Sequence, residues 1–158
     1  MSRPVKFGQV AGVELNIDFP VAASVVWKHL GGNFVYLDAN NRLAIATPAI
    51  TAIIGWAQTG DYTASSTAGR DKVAVNIARD AIFEMPIDAA RTEAQLQAIV
   101  GETCDIIVTS NIQYADFDAS AIDVLEIMGY RYYGSASGEQ TLLVRLYAPN
   151  ITTKGGVV

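Results

Sequence analysis

The sequence predicts a mainly β protein: a β-sandwich or β-barrel-like single domain with one short α-helix and extended terminal arms. Three observations predict it. Apolar residues recur with period two along most of the chain, and clusters of Gly, Pro, Asn and Asp cut those runs into short segments. Only one window, residues 88–101, carries a helical start, an apolar stripe and a stop. At 158 residues the chain has the length of one domain, enough to bury most of the apolar surface its unfolded form exposes without a metal or disulfide. No repeat, low-complexity tract or composition break divides it. Residues 1–12 read as an N-terminal arm, 13–147 as the β domain and 148–158 as a C-terminal tail.

The elements follow in order. VELNIDF places Val13, Leu15, Ile17 and Phe19 on one side and Glu14, Asn16 and Asp18 on the other, a half-buried strand that Pro20 ends. VAASVVWKHL fits a strand or a short helix. NFVYLDANNRLAIAT reads as a hairpin, because Asp38-Ala39-Asn40-Asn41 tolerate turn dihedrals and bond their own backbone. ITAIIGWA is a strand in which Gly55 marks a bulge or a close backbone approach. QTGDYTASSTAGR, from Gln58 to Arg70, lacks periodicity and reads as a long loop.

DKVAVNIARDAIFEMPID then reads as a second hairpin: Val73, Val75 and Ile77 share a face, ARD turns the chain, and Ala81, Phe83, Met85 and Ile87 share the face of the return strand. DAARTEAQLQAIVG is the helix, with Asp88 or Thr92 as N-cap, Gln95 completing a capping box with Thr92, and Gly101 as the stop. Its stripe of Leu96, Ile99 and Val100 is short, which suits a helix covering an open end or edge of the β structure. TCDIIVTS returns to strand and NIQYADFDAS is a loop. DVLEIMGYRYY and EQTLLVRLY flank GSASG as a last hairpin.

Hydrophobic residues are 51% of the chain and charged residues 17%, an apolar balance for a lone monomer and one that suits a surface facing a partner. The N-terminus has no signal-like apolar core and no run reaches the length of a membrane span. A net charge of −5 argues against a nucleic-acid partner. Its distribution is uneven. No basic residue lies between Arg91 and Arg131, where Glu93, Glu102, Asp105, Asp116, Asp118, Asp123 and Glu126 all fall, whereas Arg3 and Lys6, and Arg145 and Lys154, occupy ends without acids. Basic ends on an acidic body are complementary between copies; clustering on solvated faces explains the pattern as well.

Catalytic constellations are not visible, and the chain reads as a non-enzyme with no cofactor and no metal site. His29 is the one histidine and no nucleophile elbow accompanies it: GSASG has Ala136 where a serine is needed and joins two strands. Cys104 lies in a strand pattern with acidic neighbours, the setting of a small buried hydrophobe. Asp116, Asp118 and Asp123 lack calcium-loop spacing, since Ala121 and Ile127 stand where the turn glycine and the bidentate glutamate belong. Tyr130, Tyr132, Tyr133 and Tyr147 suit either a binding face or cross-strand packing.

GGNFVYLDANNRLAIATPAITAIIGWA, VAVNIARDAIFEMPID, CDIIVTSNIQYADFDAS and the tail NITTKGGVV together resemble the capsid decoration, or cement, proteins of tailed bacteriophages. VVWKH and YRYYGSASG lie outside the resemblance. It implies a small β protein, often a homotrimer, that is made in the host cytoplasm, binds the outside of the phage head and bridges subunits of the major capsid protein. On that reading Met1 to Gly12 and Ala148 to Val158 are contact arms, with Arg3, Lys6, Phe7 and Lys154 at the interface. The alternative is a carbohydrate-binding β-sandwich stacking sugars on Tyr132, Tyr133 or Trp56; a small hydrolase using His29 comes third.

Overall fold

The computed structural model describes residues 7–27, 32–117 and 123–147, and the period-two segments within them become strands, as expected. The strands are β1 (Gly8–Ala11), β2 (Asn16–Pro20), β3 (Val26–Trp27), β4 (Asn33–Leu37), β5 (Leu43–Ile45), β6 (Gly55–Ala57) and β7 (Tyr62–Thr63) in the first half. β8 (Lys72–Asn76), β9 (Ile82–Pro86), β10 (Thr103–Thr109), β11 (Ile112–Asp116), β12 (Leu125–Tyr132) and β13 (Gln140–Leu146) follow, with helix α1 (Glu93–Ala98) between β9 and β10. A six-stranded sheet runs β1-β9-β13-β12-β10-β11, a five-stranded sheet runs β2-β8-β6-β4-β5, and β3 pairs with β7 alone. The fold class is therefore the one expected, a mainly β, sandwich-like domain with one short helix.

Two cores explain the layering. Phe34, Ile53 and Trp56 from the five-stranded side meet Phe83, Met85, Ile106, Leu125, Ile127, Leu142 and Val144 of the six-stranded sheet in one buried cluster. The other face of the five-stranded sheet supplies Phe19, Val35, Leu43, Ala57, Val73 and Val75 to a second cluster, closed by Trp27 and Ala64 around β3 and β7. Alternation along β4 makes both possible: Phe34 faces one core and Val35 the other, since successive side chains point to opposite faces. Gly55 permits the β6–β8 approach, because a Cβ there would drive into the backbone carbonyl of Asn76.

Local signals held where the chemistry is local. Asp38 Oδ1 accepts the N–H groups of Asn40 and Arg42 at 2.8 and 2.9 Å, and β4 pairs with β5 around that turn. Thr92 is the N-cap of α1, its box with Gln95 is complete, and Gly101 follows at φ +93°. The helix is shorter than the window 88–101, and Leu96 is its one buried residue. The last hairpin forms as expected, β12 pairing with β13.

Four expectations are corrected. The 71–88 segment contains two strands but no hairpin: β8 pairs with β2 and β6, and β9 with β1 and β13. Each strand buries its apolar face in a different core, so the link between them crosses from sheet to sheet. The 58–70 loop contains β7. The segment 111–116 is strand β11, joined to β10 by Ser110 and Asn111 at φ +52° and +62°, a left-handed pair that gives the tight turn its twist.

The fourth concerns the N-terminal arm. Gly8 pairs with Glu84 and Gln9 with Phe83, while Phe7 is buried with its ring 4.5 Å from that of Trp56. Aromatic burial and backbone pairing both outweigh the freedom of an arm there, so Phe7 belongs to the body. Arg3, Lys6, Lys154, His29, Asp118, residues 1–6 of the arm and the tail 148–158 lie outside the described residues.

Candidate functional site

The seam where the two large sheets meet beside β1 and β2 carries two adjoining clefts of about 240 and 470 Å³. Gln9, Glu14 and Gln58 line both, and Asn16, Asn76 and Trp56 line the smaller. Most of these polar groups already serve the fold. Asn76 Oδ1 accepts the N–H groups of Leu15 and Ala78, and its Nδ2 donates to Gln9 Oε1 at 2.8 Å. Gln9 Nε2 in turn faces the carbonyls of Ala11, Gly12 and Val13 at 3.2–3.3 Å, and Asn16 Nδ2 donates to Glu14 at 2.7 Å. The network clamps the chain as it passes from one sheet to the other. Trp56 is 3% exposed and surrounded by Phe7, Phe34 and Phe83, so it offers no stacking platform. Its Nε1 has no acceptor among the described residues.

A second feature lies on the six-stranded sheet. Asp105 on β10 stands directly opposite Asp116 on β11, and both Asp116 and Asp123 act on it electrostatically. Asp105 is 8% exposed. Burial first, then those two carboxylates, push its acid up to about 6, against the N–H of Ile106 that bonds the ionised form at 2.7 Å. Acids spread along the sequence thus meet at one place, the partial form of the acidic body read from the sequence. Nearby Cys104 is fully buried, and burial followed by Asp105, Asp123 and Asp116 pushes its thiol up. It is the packed hydrophobe expected of it.

Among the described residues no group of three or more His, Cys, Asp or Glu is arranged to hold a metal ion. Ile127, in the calcium-loop glutamate position, is a core residue. Of the tyrosines, Tyr130 and Tyr132 pack against the main core, while Tyr133 is 43% exposed. On the outer face of the same sheet Glu84, 2% exposed, accepts from Arg131 Nη1 at 2.8 Å and from Thr141 Oγ1 at 2.7 Å. Arg145 Nε reaches Glu126 at 2.7 Å. Sequence reasoning missed the Glu84 contacts because they join β9 to β12 and β13, a neighbourhood no local pattern announces; Arg145 and Glu126 lie in the expected last hairpin, but their pairing depends on its exact register.

No family model, no curated protein and no solved structure matches the chain.

A surface that sequence reasoning placed inside the fold is instead outside it. Val13, Leu15 and Ile17 are 61%, 52% and 43% exposed, although their alternation marks a half-buried strand. The second core includes Phe19 but ends before Ile17, and β2 is the outermost strand of its sheet. With Val10 of β1, they make up four of the nine large hydrophobics exposed among the described residues, all within residues 10–17.

Proposed function

We propose that this chain is a structural virion protein: many copies decorate the outside of a phage head, bridge neighbouring major capsid subunits and stabilise the shell without chemistry. The meeting of Asp105, Asp116 and Asp123 carries the reading. It gathers acidic side chains on the body of each copy, Asp105 itself buried and Asp116 and Asp123 half-buried, and the basic residues Arg3, Lys6 and Lys154 belong to the two ends of the sequence. Complementary charges on one chain steer and register copies in an assembly. The family resemblance of the sequence supports the same conclusion, and stabilisation by a binder present in many copies needs only mass action.

The test is the copy number of this protein in purified particles, measured by quantitative mass spectrometry against the major coat protein. A near-stoichiometric ratio supports the reading, and absence from particles overturns it. Deleting residues 1–6 or 148–158 is expected to weaken capsid binding.

A second reading is binding of a polyhydroxylated ligand in the seam clefts. It draws on the amide-rich lining, while the Trp56 Nε1 beside it is buried and the rings first suited to stacking reduce to Tyr133. Chemical-shift perturbation of the Trp56 indole by soluble glycans would favour it over the shell role.

A further inference from the structure

The hydrogen-bond parity of β2 makes its outer edge specific. The N–H of Ile77 donates to the carbonyl of Leu15 at 2.9 Å, and the N–H of Val21 to that of Asp71 at 2.9 Å. Leu15, Ile17, Phe19 and Val21 therefore turn their backbone groups toward β8, and alternation turns those of Asn16 and Asp18 outward. Pro20 belongs to the outward set, and proline is tolerated where the missing N–H faces away from the sheet. Asn16, Ile17 and Asp18 are all exposed. The other edges of the two large sheets are less suited: β1 is broken by a bulge after Gln9, β5 has three residues and bridges Val21 at Leu43, and β11 bridges Ile87 at Ala115.

We propose that this edge binds a second copy of the chain, β2 against β2, antiparallel about a two-fold axis through Ile17. In that register Asn16 of each copy exchanges backbone hydrogen bonds with Asp18 of the other, Ile17 faces Ile17, and Leu15 faces Phe19. Exposed Ile17 meets its own copy and exposed Leu15 meets the edge of the largely buried Phe19, all at non-hydrogen-bonded positions, whose side chains lie closest together. Carboxylates select the register. Moving it two residues one way sets Glu14 against Asp18, and two the other way sets Asp18 against Asp18, both destabilising. The chosen register sets Asp18 beside an amide. It also brings Glu14 of one copy within two strand spacings, roughly 10 Å between backbones, of Lys72 of the other, because Lys72 pairs with Pro20, a span that two long side chains bridge.

The interface is small for a permanent dimer, so association is expected to depend on concentration. The shell reading is not required, since the dimer forms from the free chain. The test is oxidative crosslinking of the full-length chain carrying Ile17→Cys, beside Asp18→Cys, with sedimentation velocity of the wild type and of Ile17→Lys over a concentration series. Opposed Ile17 Cα atoms at about 4.5 Å suit a disulfide, whereas Asp18 to Asp18 is diagonal, so Ile17→Cys should crosslink about tenfold faster. The native thiol is buried and adds little background. A concentration-dependent dimer that Ile17→Lys abolishes, with circular dichroism unchanged, supports the proposal. Equal crosslinking at both positions, a wild-type chain that stays monomeric, or a trimer insensitive to Ile17→Lys overturns it.

Discussion

Gln113 and Phe34 stand 79 residues apart and complete one another's hydrogen bonding: the N–H of Phe34 donates to Gln113 Oε1 at 2.8 Å, and Gln113 Nε2 donates back to the carbonyl of Phe34 at 2.9 Å. The amide is fully buried and also donates to the carbonyl of Ala46 at 2.9 Å. A side chain from β11 thereby acts as an extra strand residue for β4 and joins the two large sheets through the core. Gln113→Leu leaves the Phe34 N–H buried without an acceptor. The expected loss is about 2–4 kcal/mol, read by urea denaturation with an unchanged m-value.

Asp105 sets a pH dependence opposite in sign to the common carboxylate case. Its acid is raised to about 6 in the folded chain from 3.8, so between those values the native state holds the proton that the unfolded state has lost. Stability therefore falls as pH rises from 4 to 6 and this contribution levels off above. Asp105→Asn keeps an acceptor for the Ile106 N–H and removes the ionisation. It is expected to flatten that slope and to raise stability at pH 7.5 by roughly 1–2 kcal/mol, after allowance for screening. A steeper slope in the variant would contradict the assignment.

Cys104 should be silent in the native state. With the side chain buried and the thiol pushed up by burial and three aspartates, little thiolate forms and none is accessible. Alkylation by a maleimide at pH 8 is expected to proceed only through unfolding, at a rate that rises with urea, whereas prompt native labelling would show the site to be open.

Two glycines should respond in opposite ways. Gly55→Ala forces β6 away from Asn76 and is expected to cost about 2–4 kcal/mol. Gly60 has nothing near its missing Cβ, and Gly60→Ala should be neutral or stabilise by about 0.5 kcal/mol through the unfolded state. Thermal melts of the two variants separate them directly.

What could be read early follows the range of the interaction. The Asp38 turn, the Thr92–Gln95 box, the approach at Gly55 and the burial of Cys104 all rest on residue type and near neighbours. Asp105 and Asp116 were legible as acids but not as a pair, because their meeting depends on a turn at Ser110 and Asn111 without a glycine to announce it. Phe7 reads as an interface residue of the arm, and nothing local announces its burial in the body. Its place depends on the cluster of Phe34 and Trp56, whose rings meet at 4.9 Å only after the sheets have packed.

The sequence by itself determined a mainly β chain with one capped helix, because alternation, turn chemistry and capping act over a few residues. Tertiary structure alone decided that β8 and β9 part into different sheets, that β1 joins the body, and that Val13, Leu15 and Ile17 stay exposed. Any extended segment offers the same backbone donors and acceptors to any neighbour. The choice among pairings is made by burial on both faces of the sheets, through contacts such as Gln113 with Phe34 that no local pattern encodes.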